Sequence, residues 1–433
     1  MMKHSSWMMI GAMVLAAACS SNESEDAIAK STKDRLTNPP LAAGDLATQV
    51  RGNTAFALDL YQQTASDTSN HLASPHSISI ALAMLHGGAA GNTEKEMARA
   101  LHFDLPQPAM HAAFDALDLA LASRGQGAKG VDGGKFALEI QNAIWTRPDG
   151  KYLPDYLDLL ALYYGAGLHL ADFGADPELA RQQINAWVAK QTRDRIKELL
   201  QQGDVGRATA LVLTNTVYLN AAWEQPFEES ATQPAPFDAG GSKVSVPMMS
   251  DWKSKARYAS GAGYQAVELA LDGGEVAMLF LVPDAGTFAS YRKTLTAAAL
   301  EDVVGKLTTQ TVDLKLPRFT FSARTELRAA LEALGMKDAF SDMAADFSRI
   351  SGATPGSQAA LVVKKVIHQA FVQVAEKGAE AAGATAVVMA DGGISQPAEP
   401  VHLTVDRPFL FVVRDRPTGA LLFLGHVVDP TAK

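Results

Sequence analysis

The sequence holds a single cysteine, Cys19, in 433 residues. No internal disulfide can brace the fold, and no paired-thiol metal site can form. Basic charge is not in excess: 38 Lys and Arg face 47 Asp and Glu, for a net charge of −9. Without a basic cluster, this balance excludes nucleic acid as the expected partner. No apolar run is long enough to span a bilayer as a helix; "WMMIGAMVLAAA" near the start has about a dozen residues, where roughly twenty are needed. Catalytic patterns are missing as well. There is no G-x-S-x-G, no H-E-x-x-H and no phosphate-binding loop, and none of the ten histidines pairs at i, i+4. "GAGYQA" at 261–266 has dinucleotide-site spacing but lies between strand candidates and opens no helix. The residues make no positive case for an enzyme, and neither a metal nor a cofactor is expected.

What is present begins with export. Lys3 and His4 precede the short apolar run, and "LAAA" with Cys19 follows it. This is a secretory signal over residues 1–18. The Cys19 context resembles a bacterial lipobox, with Leu15 one place earlier than usual and Ala16 in its place; the alternative is a plain secretory signal. A lone thiol in an exported chain is accounted for if Cys19 carries the lipid. Residues 19–44 then form a polar tether, and loss of 1–18, whose only charge is Lys3, takes the net charge to −10. Ser20 after Cys19 points to an outer-membrane lipoprotein of the cell envelope, facing the periplasm or the surface; the alternative is secretion.

The rest, at 47% hydrophobic and 20% charged overall, can bury a large core. Periodicity predicts helices over 45–66 and from Pro75 to His86, and one starting near Thr93 with Thr93 and Glu96 as a capping box. It also predicts a long helix over 176–200 and one over 322–335 ending at Gly335. Residues 211–223, "LVLTNTVYLNAAW", read as a central strand. Further strands are expected near 137–146, 245–258, 264–282, 309–322, 360–375, 401–414 and 420–428. Helices dominate the first half and strands the second. No linker divides them, so the expected class is α+β in one unit over 45–433.

One stretch fits no ordinary element. After the apolar run "LVVKKVIHQAFVQVA" comes "EKGAEAAGATAVVMADGGISQPAEP", residues 376–400. Its first half is small and nearly uncharged, and Pro is absent from 376 to 396, so every amide there can join a ladder. With period 2, one face would carry Ala379, Ala381, Gly383 and Thr385, and the other Glu380, Ala382, Ala384 and Ala386. The first face can be buried in a sheet without burying charge. Glu376, Lys377 and Gly378 form the pivot, where glycine permits unusual dihedrals. A flexible linker is the alternative, disfavoured by the strands on both sides.

Five ordered stretches resemble one family: "ASPHSISIALAMLHGGAAGNTEKEM", "LTNTVYLNAAWEQPF", "LPRFTFSARTELRAALEALGMKDAFSDMAADFSRIS", "VIHQAFVQVAEKGAEAAGATA" and "DRPFLFVVRDRPTGALLFLGHVVDP". The chain resembles the serpins, inhibitors of serine and sometimes cysteine proteases, over about residues 45–430. The resemblance implies a fold of three β-sheets and about nine helices in a single domain with an exposed reactive loop. It also implies a suicide mechanism. A protease cleaves the loop and forms an acyl-enzyme; the loop then inserts into the main sheet and carries the distorted protease with it. The alternative is a non-inhibitory serpin-fold binding protein of the envelope.

By the same resemblance the hinge is Glu376 to Gly383: Glu376, Lys377, Gly378, Ala379, Glu380, Ala381, Ala382 and Gly383. Inhibitory members place Thr or Ser where this chain has Ala379, which is still small. The family's usual count puts the scissile bond after Gly392. Met389, Ala390 and Ile394 stay open, and with Asp391 and Gly393 they bracket the region. Ser74, Ser77, Asn215 and His368 would lie under the centre of the opening sheet, with Trp223 where the loop enters. The partner is then a protease, and the chain a monomer. No Arg or Lys lies between Lys377 and Arg407, so the target is elastase-, chymotrypsin- or subtilisin-like rather than trypsin-like, or a cysteine protease.

Overall fold

The computed structural model describes residues 27–131, 133–379 and 399–432, leaving aside the side chains of 252–254. Among them are ten α-helices and two multistranded sheets. One sheet has seven strands in the spatial order Ile28–Ala29, Leu168–Leu170, Ala137–Thr146, Leu211–Ala222, Gly378–Ala379, Val363–Ala375 and Phe319–Glu326. The other has nine. The 19-residue strand Lys243–Gly261 pairs with Gln233–Asp238 and Thr308–Pro317, and near its end with Tyr264–Ala270. It thereby fuses two of the three expected sheets into one hydrogen-bonded path.

The two sheets face each other across the largest apolar core. Val217, Ala221, Val372, Val374, Phe319 and Phe321 come from the first, and Phe280, Phe409 and Phe411 from the second. A second core surrounds the helix Pro75–His86, every residue of which is buried, with Ile78, Leu82 and Leu85 fully so. The helix Pro177–Gln191 lies over the first sheet, setting Ile184 and Val188 against Trp145, Val212 and Ile367.

Local chemistry sets some helix starts. Pro75 opens its helix at a position whose amide needs no partner. The Asp176 carboxylate accepts from the amides of Glu178 and Leu179, capping the helix Pro177–Gln191.

Several expectations are corrected. The helix near Thr93 begins at Gly91, and its capping box does not form. Thr93 Oγ1 instead accepts from the Asp346 amide, and Glu96 from Lys337 and Asp338, so both side chains dock the 337–346 segment. The 176–200 helix stops at Gln191, where Arg193 and Asp194 turn left-handed at φ 49° and 62°. The 264–282 strand is a hairpin, Tyr264–Ala270 and Val276–Pro283, turned by Gly273 and Gly274 at φ 91° and 70°. The 309–322 segment is two strands, Thr308–Pro317 and Phe319–Glu326, that belong to different sheets. The 401–414 segment divides likewise, into Val401–Thr404 and Phe409–Asp415. The 322–335 segment starts as strand, and its helix is Arg328–Ala333. Among the described residues, no helix is long and apolar enough to cross a membrane, and no cluster of three or more potential metal ligands occurs.

Candidate functional site

The seven-stranded sheet contains a seam. At its lower end, strand 211–222 pairs in parallel with strand 363–375, up to Asn215 opposite His368. Six residues further on, the same two strands no longer touch. Gly378 and Ala379 lie between them, Ala379 opposite Ala221 on one side and Val374 on the other. Between these levels, residues 216–220 and 369–373 face each other without a ladder. The seam is thus zipped below, forked in the middle, and held apart at the top by two residues of the hinge.

The hinge is fastened by groups that only this geometry brings together. Gly378 has φ 150°, and a Cβ there would stand 2.3 Å from the Ala221 carbonyl oxygen and 2.5 Å from Val131 Cγ1. Only glycine fits. Ala379 is buried on the core face with Ala221 and Val374. Glu376, 4% exposed, accepts from Thr232 Oγ1 at 2.6 Å and from Arg318 Nη2. Burial pushes its carboxyl up, but the hydrogen bonds from Arg318 and Thr232 outweigh that and hold the pKa below the usual carboxylate value. Lys377 pairs with Glu229 at 2.8 Å. The Trp223 indole N–H donates to the Ala375 carbonyl at 2.9 Å, and its amide to that of Lys377 at 2.8 Å. The Phe227 amide donates to the Glu376 carbonyl. Trp223 therefore pins both arms of the turn.

A buried polar row crosses the fork. The Ser74 amide donates to His368 Nε2 at 3.0 Å, which leaves the proton on Nδ1, and that nitrogen donates to Asn215 Oδ1. Ser74 Oγ donates to the Leu422 carbonyl at 2.7 Å. Asn215 stands opposite Asn142 in the next strand, and Ser77 Oγ donates to Asn142 Oδ1 at 3.0 Å. Full burial drives the His368 pKa down to about 3. The row therefore stays neutral, and its hydrogen bonds can be exchanged for others without stranding a charge.

Five residues expected under or at the head of the sheet, Ser74, Ser77, Asn215, His368 and Trp223, are brought together at the seam. Glu376, Lys377, Gly378 and Ala379 form its upper wedge. Glu380, Ala381, Ala382 and Gly383, the bracket Met389 to Ile394, and Cys19 lie outside the described residues. Sequence reasoning missed Arg318, Thr232 and Asn142. Arg318 stands inside "LPRFTF", and a cation at the mouth of a strand was the one signal that it could meet the hinge carboxylate.

The fold and seam define a class, and comparison agrees: the family model for Serpin (serine protease inhibitor) matches residues 51–430, and the chain belongs to that family. It is 35% identical over 381 residues to an uncharacterized serpin-like protein of Thermococcus kodakarensis, covering 88% of this chain and 85% of the relative. It is also 35% identical over 394 residues to leukocyte elastase inhibitor A of Mus musculus, covering 87% and 98%. The thermophilic serpin tengpin in its native state superposes with a TM-score of 0.79 at 25% identity, covering 94% of this chain and all of that one. Members of this family are mostly protease inhibitors rather than enzymes, and inhibitors are among this chain's relatives.

Proposed function

We propose that this chain inhibits serine proteases as a suicide substrate. The observation that carries the reading is the wedge: two hinge residues already lie in register between the seam strands, above an unpaired stretch. Each further residue descends one row from Ala379 opposite Ala221. Thr385 would then arrive opposite Asn215 and His368, and Met389 opposite Leu211, at the strand ends. Ten rows at roughly 3.3 Å each make a descent of ~33 Å. A bond after Gly392 leaves the attached protease just beyond the far end of the seam.

The chemistry belongs to the protease. Its nucleophilic serine adds to the scissile carbonyl, the peptide bond breaks, and the new amine leaves with the serine's proton, giving an ester. This chain contributes the strand that then folds away. Small side chains at 381, 383 and 385 would share the core face of Ala379 and enter without a buried charge. The absence of Arg and Lys from 378 to 406 favours elastase-, chymotrypsin- or subtilisin-like targets, with a cysteine protease as the further possibility. The N-terminus supports an envelope lipoprotein anchored at Cys19.

Incubation with a panel of serine proteases tests the inhibitory reading. A covalent complex stable to boiling in detergent is expected, and mass spectrometry of the released fragment fixes the bond. Clean loop digestion without a complex would replace inhibition by a binding role. For the anchor, Cys19→Ser is expected to lose lipid mass and to leave the detergent phase on partitioning.

A further inference from the structure

The segment that follows the helix Pro177–Gln191 spans the forked seam from above. It is fastened to that helix: Thr192 Oγ1 donates to the Val188 carbonyl at 2.9 Å, and the Asn185 side chain bonds both the amide and the carbonyl of Leu200. It then holds both banks of the seam. On the 211–222 side, the Arg193 guanidinium lies 4.7 Å over the Tyr218 ring and pairs with Glu139. On the opposite side, the Arg195 guanidinium lies 5.7 Å over the Phe371 ring. Tyr218 and Phe371 are each three residues beyond the Asn215–His368 row, so they face each other across the unpaired stretch. Just below, Arg324 Nε donates to the Leu199 carbonyl at 2.7 Å, and its Nη2 pairs with Asp204. Lys365 stands 3.6 Å from the same carboxylate. Arg324 and Lys365 belong to the two strands on the Phe371 side. Arg193, which makes the near-bank grip, and Asp194 beside it are non-glycine residues in the left-handed region, a strained turn held by its neighbours.

A strand added between 211–222 and 363–375 moves the banks apart by about 4.8 Å. A 2.7 Å hydrogen bond and an ion pair across that gap cannot stretch so far. Either the helix leaves its near bank, or the grip on Arg324 and Lys365 opens.

We infer that the Asp204–Arg324 pair, with Lys365 on the same carboxylate, is a latch that sets the rate of strand uptake into the seam. This inference rests on the insertion reading proposed above. The unpaired stretch lies under the strained turn, and the latch stands beside the Asn215–His368 row where the zipped part begins. Uptake therefore has two stages: the open rows fill first, and the latch then gates the rest.

The test measures uptake of a synthetic peptide with the sequence of residues 379–392 by the intact protein, read as resistance to heating over time, with no protease present. Asp204→Asn and Arg324→Met are each expected to speed uptake about tenfold, and the double variant no more than either alone, because the two share one contact. The exchange Asp204→Arg with Arg324→Asp is expected to return the rate toward the original. Once the peptide is bound, all forms are expected to melt together, since the latch is already open; a merely structural role would leave the variants less stable in both states. Should Asp204→Asn not fold, Lys365→Met carries the test at smaller amplitude. Uptake by every variant at the original rate overturns the latch. If the original chain takes up no peptide, the insertion reading itself fails, and the latch with it.

Discussion

The two sheets of this molecule are built on opposite plans. In the nine-stranded sheet, the strands Val276–Pro283, Phe409–Asp415 and Leu421–Val427 are buried over their whole length, and each has a paired strand on both sides. Their inner face is a stack of aromatic rings: Phe411 stands 5.6 Å from Phe319, and Phe280 6.1 Å from Phe409. The seven-stranded sheet has its centre occupied by Asn215, His368 and Ser74, and its two middle strands part halfway up. Saturated apolar packing has one minimum. On the insertion reading proposed above, a neutral polar row beside an unfilled ladder has two, and the second is reached by adding a strand.

Substitutions can break or sharpen this contrast. Phe411→Ala in the saturated sheet should cost about 3–5 kcal/mol. It should do so alike in the intact and loop-cleaved forms, as calorimetry of both would show. Gly378→Val puts a side chain against the Ala221 carbonyl and should cost about 2–4 kcal/mol. The clash should persist in the loop-cleaved form, because the strand that fills the fork begins at the same residue, so the gain in melting temperature on cleavage should shrink. His368→Ala strands the Ser74 amide and the Asn215 carboxamide oxygen and should cost about 2–3 kcal/mol in denaturant titrations.

Acid offers a finer probe of the same row. Burial lowers the folded pKa of His368 to about 3, far below its unfolded value near 6.5. The unfolded chain therefore binds the proton first, and the stability this residue confers is fully present above pH 6.5. It falls by roughly 1.4 kcal/mol per pH unit as the pH drops from 6.5 toward 3. His71 and His426, also held low by burial, to about 3 and about 4, add to the slope. His368→Gln should flatten the profile by the share of one histidine. Smallest is Glu376→Gln, which weakens the hinge bond to a half-exposed Arg318 by about 1 kcal/mol. On the inhibitory reading proposed above, it should show as faster spontaneous loss of inhibitory capacity on storage, not as a large shift in melting.

Much of this was legible in the residues. The helix Pro75–His86 and the strand 211–222 were readable because each repeats one period without a break, and Ser74, Asn215 and His368 followed from the family likeness. What escaped has a common cause. Thr93 and Glu96 have the spacing of a cap, yet they serve a segment some 240 residues away, and no local rule reports that. The helix ending at Gln191 was overrun because "RDRIKELL" keeps amphipathic spacing past the left-handed turn. Arg318, Thr232 and Asn142 act only through partners distant in sequence. The splitting of 309–322 between two sheets falls at Pro317–Arg318, where the proline was a break signal overridden by the strand-like composition on either side.

The central claim is that the seam is an incomplete sheet waiting for the strand that begins at Gly378. The direct measurement is the melting temperature of the chain before and after a single cut within 389–395 by a protease that is not trapped. Completion of the ladder predicts a rise of roughly 10 °C or more, with the fragments remaining together. An unchanged or lower melting temperature would mean that the cut strand stays outside the sheet, and would contradict the account.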